Sequence, residues 1–473
     1  MSPSTPSGKV SVAAVDLGAT SGRVMVGQVG PNSLALNAVA RFPNGPVDHG
    51  GERHWNITGL YSSVLAGLAT AARQESSLTS VGVDSWGLDY GLIRDGALLE
   101  EPFHYRDDRT PRGVAEVRRL ISDQDLFRHN GLQIMSINSV YQLSVDRVDG
   151  RLRDGDTALL IPDLITFFLT GAALAELTNA STTGLLNIER GVWDDDLLRT
   201  LQLPRDILPP LVTSGTTIGP VTDARLAAGS RLQVTTVGSH DTASAVVAVP
   251  ATSPDFAYIS CGTWGLVGVE TEHPVLTDAA LAARFTNEGG VDGRIRFLHN
   301  VMGLWILTET IRGWGEELAP LLEAARNVAG PVSIFDVDDE RFLPPGDMPA
   351  RIAASLTERG LPVPSSHAEI VRTIIESLAQ AFADAVATAA RLSGIDVRVI
   401  HLVGGGSQNE LLCQSTADRS DLPVLAGPTE ATALGNVLVQ ARALGATSPG
   451  LEGMRALVAE SFPPRRYLPR SRS

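Results

Sequence analysis

The hydrophobic pattern changes period along the chain, and each change marks an element. Val10 to Gly30 reads VSVAAVDLGATSGRVMVGQVG: a β-rich run, a Gly-Ala-Thr-Ser-Gly turn and a second run with strand alternation, which predicts a hairpin. Val81 to Ile93, VGVDSWGLDYGLI, is a further pair of short apolar runs, broken at Asp84 to Gly87. Helical periodicity fills Leu60–Gln74 and Gly113–Leu120, and Leu159–Gly171 reads as a buried helix ended by glycine. Near residue 250 two prolines interrupt the chain and the strand pattern returns, which places a domain boundary there.

Beyond that boundary, FAYISCGTWGLVGVE repeats the opening theme of strand, Gly-Thr turn and strand. VRVIHLVGGGSQNELLCQ follows as a hydrophobic strand, three glycines and a helix, and GPTEATALGNVLVQARALG as a helix with a small-residue face. The two glycine turns, at Gly18 and Gly262, stand about half a chain apart. This repetition predicts two similar α/β halves from a duplication, with a cleft between them. The expected boundaries are 8–248 for the first domain, 249–445 for the second, and 446–473 for a C-terminal helix with a flexible basic tail.

Composition narrows the chemistry. A chain of 473 residues, 43% hydrophobic and 19% charged, is long enough for two globular domains. No apolar run reaches the roughly 20 residues that span a bilayer, and MSPSTPSGKV lacks an apolar signal core, so a cytoplasmic protein without a membrane partner is expected. Two cysteines, Cys261 and Cys413, make no disulfide framework and no thiolate cluster for zinc, and His49, His54 and His104 lack metal-ligand spacing. The net charge of −15 argues against a nucleic-acid partner. Lys9 is the only lysine, ahead of the first strand. That excludes enzymes built on a catalytic or phosphate-binding lysine: P-loop NTPases, protein kinases and pyridoxal-phosphate enzymes. Any nucleotide phosphate must be held by backbone amides, a metal and local arginines.

Several stretches admit both a chemical and a structural reading. In DLGATSGR, Asp16 can hold Mg²⁺ through water, while Gly18, Thr20, Ser21 and Gly22 offer close amides and hydroxyls to an anion; the alternative is an ordinary hairpin turn. Thr263 in CGTWG offers a second such turn. Gly404-Gly405-Gly406 clears room for a flat ring such as adenine, or is simply a tight strand-to-helix turn. DSWGLDYG and HYRDDRT mix aromatic and charged groups as sugar sites do, yet Arg106 to Arg109 also read as a solvated charge run, and Asn300 as a core or loop residue. In GSHDTASAVV, Asp241 and its neighbours either cap a helix or do chemistry.

Taken together, VDLGATSGRVMVG, VDSWGLDYGLI, HYRDDRT, LTNASTTGLLN, GSHDTASAVVAVP, CGTWGLVGVE, NVMGLW, VGGGSQNELLCQ and AGPTEATALGN resemble the FGGY-type carbohydrate kinases, which include glycerol, xylulose and gluconate kinases. The resemblance runs in order from residue 12 to about 440. It implies two actin-like domains with an ATP and sugar cleft between them, and MgATP-dependent phosphorylation of a small ketose. L-rhamnulose, giving L-rhamnulose 1-phosphate, is preferred over L-fuculose or xylulose; a non-catalytic sugar sensor of the same fold is the alternative from another class. It also implies Asp241 as the base, and Gly87, His240, Thr242 and Asn300 as sugar contacts. Ala19, Thr20, Ser21, Gly22 and Arg23 then form the ATP phosphate loop, with Thr263 and Gly406 as further nucleotide contacts and Asp16 with Asp241 at Mg²⁺. Thr308 departs from the pattern, standing where L-rhamnulose-specific members carry Gln, and Cys261 stands where Ser is common. A monomer or homodimer is expected.

Overall fold

A computed structural model of the chain describes residues 8–227 and 232–470. By contact it divides into two units. The first holds the chain up to Thr252 with Glu270–Phe297 and Ala431–Ser461; the second holds Ser253–Val269, Leu298–Glu430 and the chain from Phe462. These units depart from the linear boundaries at 249 and 446 in two stretches, because Glu270–Phe297 and the helix Ala431–Ala443 pack with the first unit.

The first unit is built on β1 (Val10–Leu17), β2 (Ser21–Gly30), β3 (Ser33–Pro43), β4 (Leu78–Ser85), β5 (Thr217–Pro220) and β6 (Gln233–Thr235), in the order β5-β6-β4-β1-β2-β3. The expected hairpin is β1–β2, antiparallel with Asp16 opposite Arg23, while β4 runs parallel to β1 and β6 parallel to β4. Val12 to Val15 are fully buried, as a near-continuous apolar strand covered on both faces should be. One glycine on β2 and one on a covering helix let helices close on both faces. A Cβ on Gly27 would overlap Val437 of the helix Ala431–Ala443, whereas Gly67 of the helix Ile57–Gln74 admits Val24 from the opposite face of β2.

Helix boundaries follow local chemistry. Ile57–Gln74 begins a turn before the expected Leu60, because the Asn56 side chain accepts from Gly59 N and the Glu101 carboxylate from Ile57 N. Thr110–Leu120 likewise starts ahead of Gly113, with Pro111 in its first turn. Leu159 and Leu160 belong to a strand, Thr157–Leu160, paired with Tyr90–Arg94; the helix is Ile161–Thr170, and Gly171 ends it at φ +80°. A short apolar run reads the same in either element, and here pairing with Tyr90 decides.

In the second unit the sheet strands are β7 (Phe256–Cys261), β8 (Trp264–Thr271), β9 (Ile295–Met302), β10 (Val399–Val403), β11 (Val424–Ala426) and β12 (Arg465–Tyr467), ordered β9-β8-β7-β10-β11-β12. Again an antiparallel hairpin, β7–β8, gains two parallel strands, β10 on β7 and β11 on β10. The same strand order thus recurs around both glycine-turn hairpins, the arrangement that a duplication predicts. The helix His367–Ser393 covers this unit's core, opened by a Ser366–Glu369 capping box and closed by Gly394. The C-terminal basic segment, read from sequence as a flexible tail, contains β12, antiparallel to β11; its last three residues, 471–473, and residues 1–7 lie outside the described ones.

Candidate active site

The turn between β1 and β2 is tight. Gly18 N donates to Ser21 O at 2.9 Å, and Asn44 Nδ2 donates to Gly18 O at 2.8 Å, fixing the loop that carries Ala19, Thr20 and Ser21. Thr20 is exposed, and Ala19 and Ser21 are half-buried. Gly22 has a packing reason of its own, since a Cβ there would overlap the Phe42 ring. Asp16, buried at the end of β1, meets the Arg23 guanidinium, its Oδ2 3.0 Å from Nε.

Strand register brings more acid to this point. Asp84, at the end of β4, lies opposite Asp16, and Ser85 bridges to His240. Asp84 is fully buried and accepts from Asn436 Nδ2 at 2.5 Å. Burial and the carboxylates of Asp16 and Asp241 push Asp84 well above the usual carboxylate range, against the Asn436 bond. Asn436 is held in turn by Gln440, whose Nε2 also reaches Ala13 O. Sequence reasoning quoted both motifs but gave neither Asp84 nor Asn436 a role.

Asp241 opens the helix Asp241–Val247, and the N-cap position falls on His240, which makes no side-chain cap bond. Ser239, the residue best suited to cap, is turned away: its N and Oγ both donate to Glu176 Oε2. The capping alternative therefore does not describe this turn. Asp241 keeps a carboxylate 31% exposed, with Thr242 Oγ1 donating to it at 3.1 Å and His240 Nε2 3.5 Å away. Glu176 was not foreseen. It is fully buried, burial raises its pKa, and donors from Ser214, Thr178 and Ser239 oppose the rise while anchoring the approach to Asp241.

The two aromatic and polar loops do meet. Asp89 accepts from Trp55 Nε1 (2.6 Å), Trp86 Nε1 (3.1 Å), Gln142 Nε2 (3.0 Å) and Tyr105 N (3.2 Å). Burial raises Asp89 to about 6 despite those four donors. Leu88 sits at φ +79°, with its N donating to Thr182 Oγ1, and a Cβ on Gly87 would lie 2.8 Å from that oxygen. Gly87 is thus fitted to Thr182 of the LTNASTTGLLN segment. Arg106 to Arg109 is not simply a solvated run: Asp107 and Arg109 are buried, and Arg109 pairs with Asp146 at 2.5 Å while stacking on Phe103.

In the second unit, Gly262 N donates to Trp264 O, and Trp305 N to Thr263 O, so the second glycine turn holds the start of the helix Trp305–Trp314. Thr263 and Asn300 are half-buried, and Thr308 is exposed on that helix. Gly404 sits at φ +82°, and Gly405–Gln408 form a short 3₁₀ turn before the helix Glu410–Ser420. A Cβ on Gly406 would overlap Cys261, so close packing on β7 already demands glycine there. Burial raises the Cys261 thiol.

Among the described residues no three His, Cys, Asp or Glu side chains gather closely enough to cage a metal. Mg²⁺ does not require such a cage, since it keeps several waters and takes one or two carboxylates with phosphate oxygens. Asp16, a buried carboxylate at the glycine turn, and the accessible Asp241 suit that coordination.

Two family models match the sequence: the N-terminal domain of the FGGY family of carbohydrate kinases over residues 11–248, and its C-terminal domain over 257–444. The chain belongs to the FGGY family of carbohydrate kinases. It is 39% identical to a rhamnulokinase of Bacteroides thetaiotaomicron, covering 96% of this chain and 95% of that one. It is 40% identical to a rhamnulokinase of Pectobacterium atrosepticum, covering 98% and 94%. The fold matches the two-domain kinase structures, among them a xylulose kinase of Lactobacillus acidophilus (TM-score 0.77, 17% identity, 97% and 94% covered). A glycerol kinase of Plasmodium falciparum with ADP matches similarly (TM-score 0.78, 15% identity, 97% and 94%). The protein is a carbohydrate kinase, with ATP as the family's phosphoryl donor. No helix among the described residues is long and apolar enough to cross a membrane.

Proposed function

We propose that this FGGY kinase transfers the γ-phosphoryl group of ATP to the primary 1-hydroxyl of L-rhamnulose, giving L-rhamnulose 1-phosphate and ADP, in the cytoplasm. The observation that carries the chemistry is Asp241: an accessible carboxylate at a helix start whose capping position it does not occupy. The sugar rests on the curated relatives named rhamnulokinase at 39% and 40% identity over nearly the whole chain.

Phosphoryl transfer passes through a loose transition state, so the protein's tasks are alignment and charge neutralisation. Asp241 accepts the proton of the 1-hydroxyl as that oxygen bonds to the γ-phosphorus and the bond to the β-phosphate oxygen breaks. His240, Thr242, Gly87 and Asn300 orient the ketose. The turn Ala19–Arg23, Thr263 and Gly406 bind the nucleotide without lysine. Mg²⁺, when bound, neutralises phosphate oxygens; Asp16, through water, and Asp241 are the residues proposed to hold it. The linear region 8–248 then carries the phosphate loop and most sugar contacts, and 249–445 carries the nucleotide contacts Thr263 and Gly406 together with the sugar contact Asn300.

The test is ADP release with MgATP against L-rhamnulose, L-fuculose, D- and L-xylulose, D- and L-ribulose and glycerol. A kcat/KM preference for L-rhamnulose supports the assignment. Preference for another ketose discards the sugar and keeps the mechanism, and no turnover with any of them overturns both.

A further inference from the structure

Arg296, on β9, is fully buried and spends its guanidinium on three partners. Nε donates to Gly289 O at 3.0 Å, Nη1 lies 3.0 Å from Glu288 Oε2, and Nη2 lies 3.0 Å from His240 Nδ1. Glu288 Oε2 also comes within 3.2 Å of that Nδ1, and on the far side of the ring His240 Nε2 faces Asp241 Oδ1. None of the sequence motifs pointed to Glu288 or Arg296 as part of the site.

A guanidinium donates and never accepts. A proton on Nδ1 would satisfy Glu288 but set that N–H against an Arg296 N–H across 3.0 Å. An unprotonated Nδ1 accepts from Arg296 and leaves Glu288 to neutralise the guanidinium. The second arrangement has no opposed donors; it leaves the Nδ1 lone pair 3.2 Å from Glu288 Oε2, and the Arg296 guanidinium, which contacts both acceptors at 3.0 Å, offsets their repulsion. The geometry agrees: the Arg296 Nη2 contact to Nδ1 at 3.0 Å has hydrogen-bond geometry, whereas Glu288 Oε2, 3.2 Å from Nδ1, accepts no hydrogen bond. The imidazole proton then resides on Nε2, the nitrogen on the Asp241 side.

We infer that Arg296, anchored by Glu288, is a positioning residue that fixes His240 in its Nε2–H tautomer. This rests on the reading of Asp241 as the base. His240 thereby presents a donor to Asp241 and to the ketose oxygens beside it, and cannot compete with Asp241 for the sugar's proton. Replacing both members of the buried pair, Glu288→Gln with Arg296→Met, leaves no uncompensated charge in the interior.

The experiment is long-range ¹H–¹⁵N correlation of ¹⁵N-histidine-labelled enzyme at pH 8, with the His240 signals assigned by their loss in His240→Gln. The expected result is a protonated Nε2 and a bare Nδ1 in the wild type, and mixed tautomers in the double variant. In the double variant the KM for sugar rises at least tenfold, and the KM for ATP stays within twofold. A wild-type Nδ1–H, a doubly protonated ring, or a double variant with unchanged tautomer and sugar KM overturns the inference. Should the double variant fail to fold, the wild-type spectrum alone decides. Asp241→Asn separates the two levels. Retained turnover removes the base reading itself, whereas lost turnover with a wild-type Nδ1–H removes only the role of Arg296.

Discussion

The Trp55 indole donates to the Asp89 carboxylate at 2.6 Å, and this bond joins the strand Glu52–Trp55 to the DSWGLDYG loop. Asp89 also gathers Trp86 and the backbone of Tyr105, so one buried acid assembles the aromatic wall that the sequence presents in separate pieces. Desolvation outweighs the four donors, which raises Asp89 from 3.8 to about 6.

That shift fixes a sign. A folded-state pKa above the unfolded value means that the native state binds the proton more tightly, so Asp89's contribution is complete below about pH 4 and is lost as pH rises through 6. Asp89→Asn, which cannot titrate, removes this dependence. Wild type should therefore gain stability relative to Asp89→Asn on going from pH 7 to pH 5, by about 1.3 kcal/mol, a little under half of what the full shift supplies below pH 4. Urea unfolding of both proteins at the two pH values measures it; a parallel response would show that Asp89 does not carry the shift.

Arg109 stands in a stretch that looks like surface charge and is instead interior. It pairs with Asp146, which also accepts from the Tyr90 hydroxyl, and it lies 3.7 Å over the Phe103 ring. Arg109→Ala leaves Asp146 buried with its main cation gone, a class of change that costs about 3–5 kcal/mol. The expected outcome is a large drop in the midpoint of denaturant unfolding, with the KM for ATP unchanged in the molecules that remain folded.

What was legible in the sequence was local. The hairpins at Gly18 and Gly262, the strand before the triple glycine, and the turn at Asp241 follow from period and turn chemistry over ten or twenty residues. Asp84, Glu176, Glu288, Arg296 and Asn436 were not legible as site residues. Each acts through a partner tens to hundreds of positions away: Asn436 reaches Asp84, and Glu176 reaches Ser239. The glycines carry a different lesson. Gly22 and Gly406 were read for ligand approach, yet Phe42 and Cys261 already occupy the space that a side chain would need. Packing and binding can demand the same residue, and spacing alone does not separate them.

Gly435 makes that point testable. It lies on the helix Ala431–Ala443 where a Cβ would overlap the backbone carbonyl of Ser244, in the helix that begins with Asp241. Backbone cannot yield as a flexible side chain does, so Gly435→Ala must push the two helices apart. Destabilisation by about 1–3 kcal/mol is expected, with a fall in kcat at temperatures where the protein remains folded, because the displaced helix carries the base. Gly313→Ala, also on a helix but with open space around its Cβ, is the control; it should leave kcat unchanged and raise stability by up to about 1 kcal/mol.

The last prediction concerns Asp241 itself. Its carboxylate is partly exposed, with Thr242 Oγ1 at 3.1 Å and the His240 ring at 3.5 Å, and it repels the buried Asp84, so Asp241→Asn removes a charge without orphaning a buried cation. The variant should fold with a wild-type unfolding midpoint and bind sugar, yet lose several orders of magnitude in kcat, since the amide cannot take the hydroxyl proton. A second rate sharpens the test. If Asp241 acts on a sugar hydroxyl that the protein has aligned, ATP hydrolysis without sugar should be far slower than sugar phosphorylation in the wild type. ADP release with and without L-rhamnulose, in wild type and Asp241→Asn, gives all four numbers. Near-equal wild-type rates would mean that alignment of the sugar is not what the site contributes, and a variant with near-normal turnover would move the base to another residue.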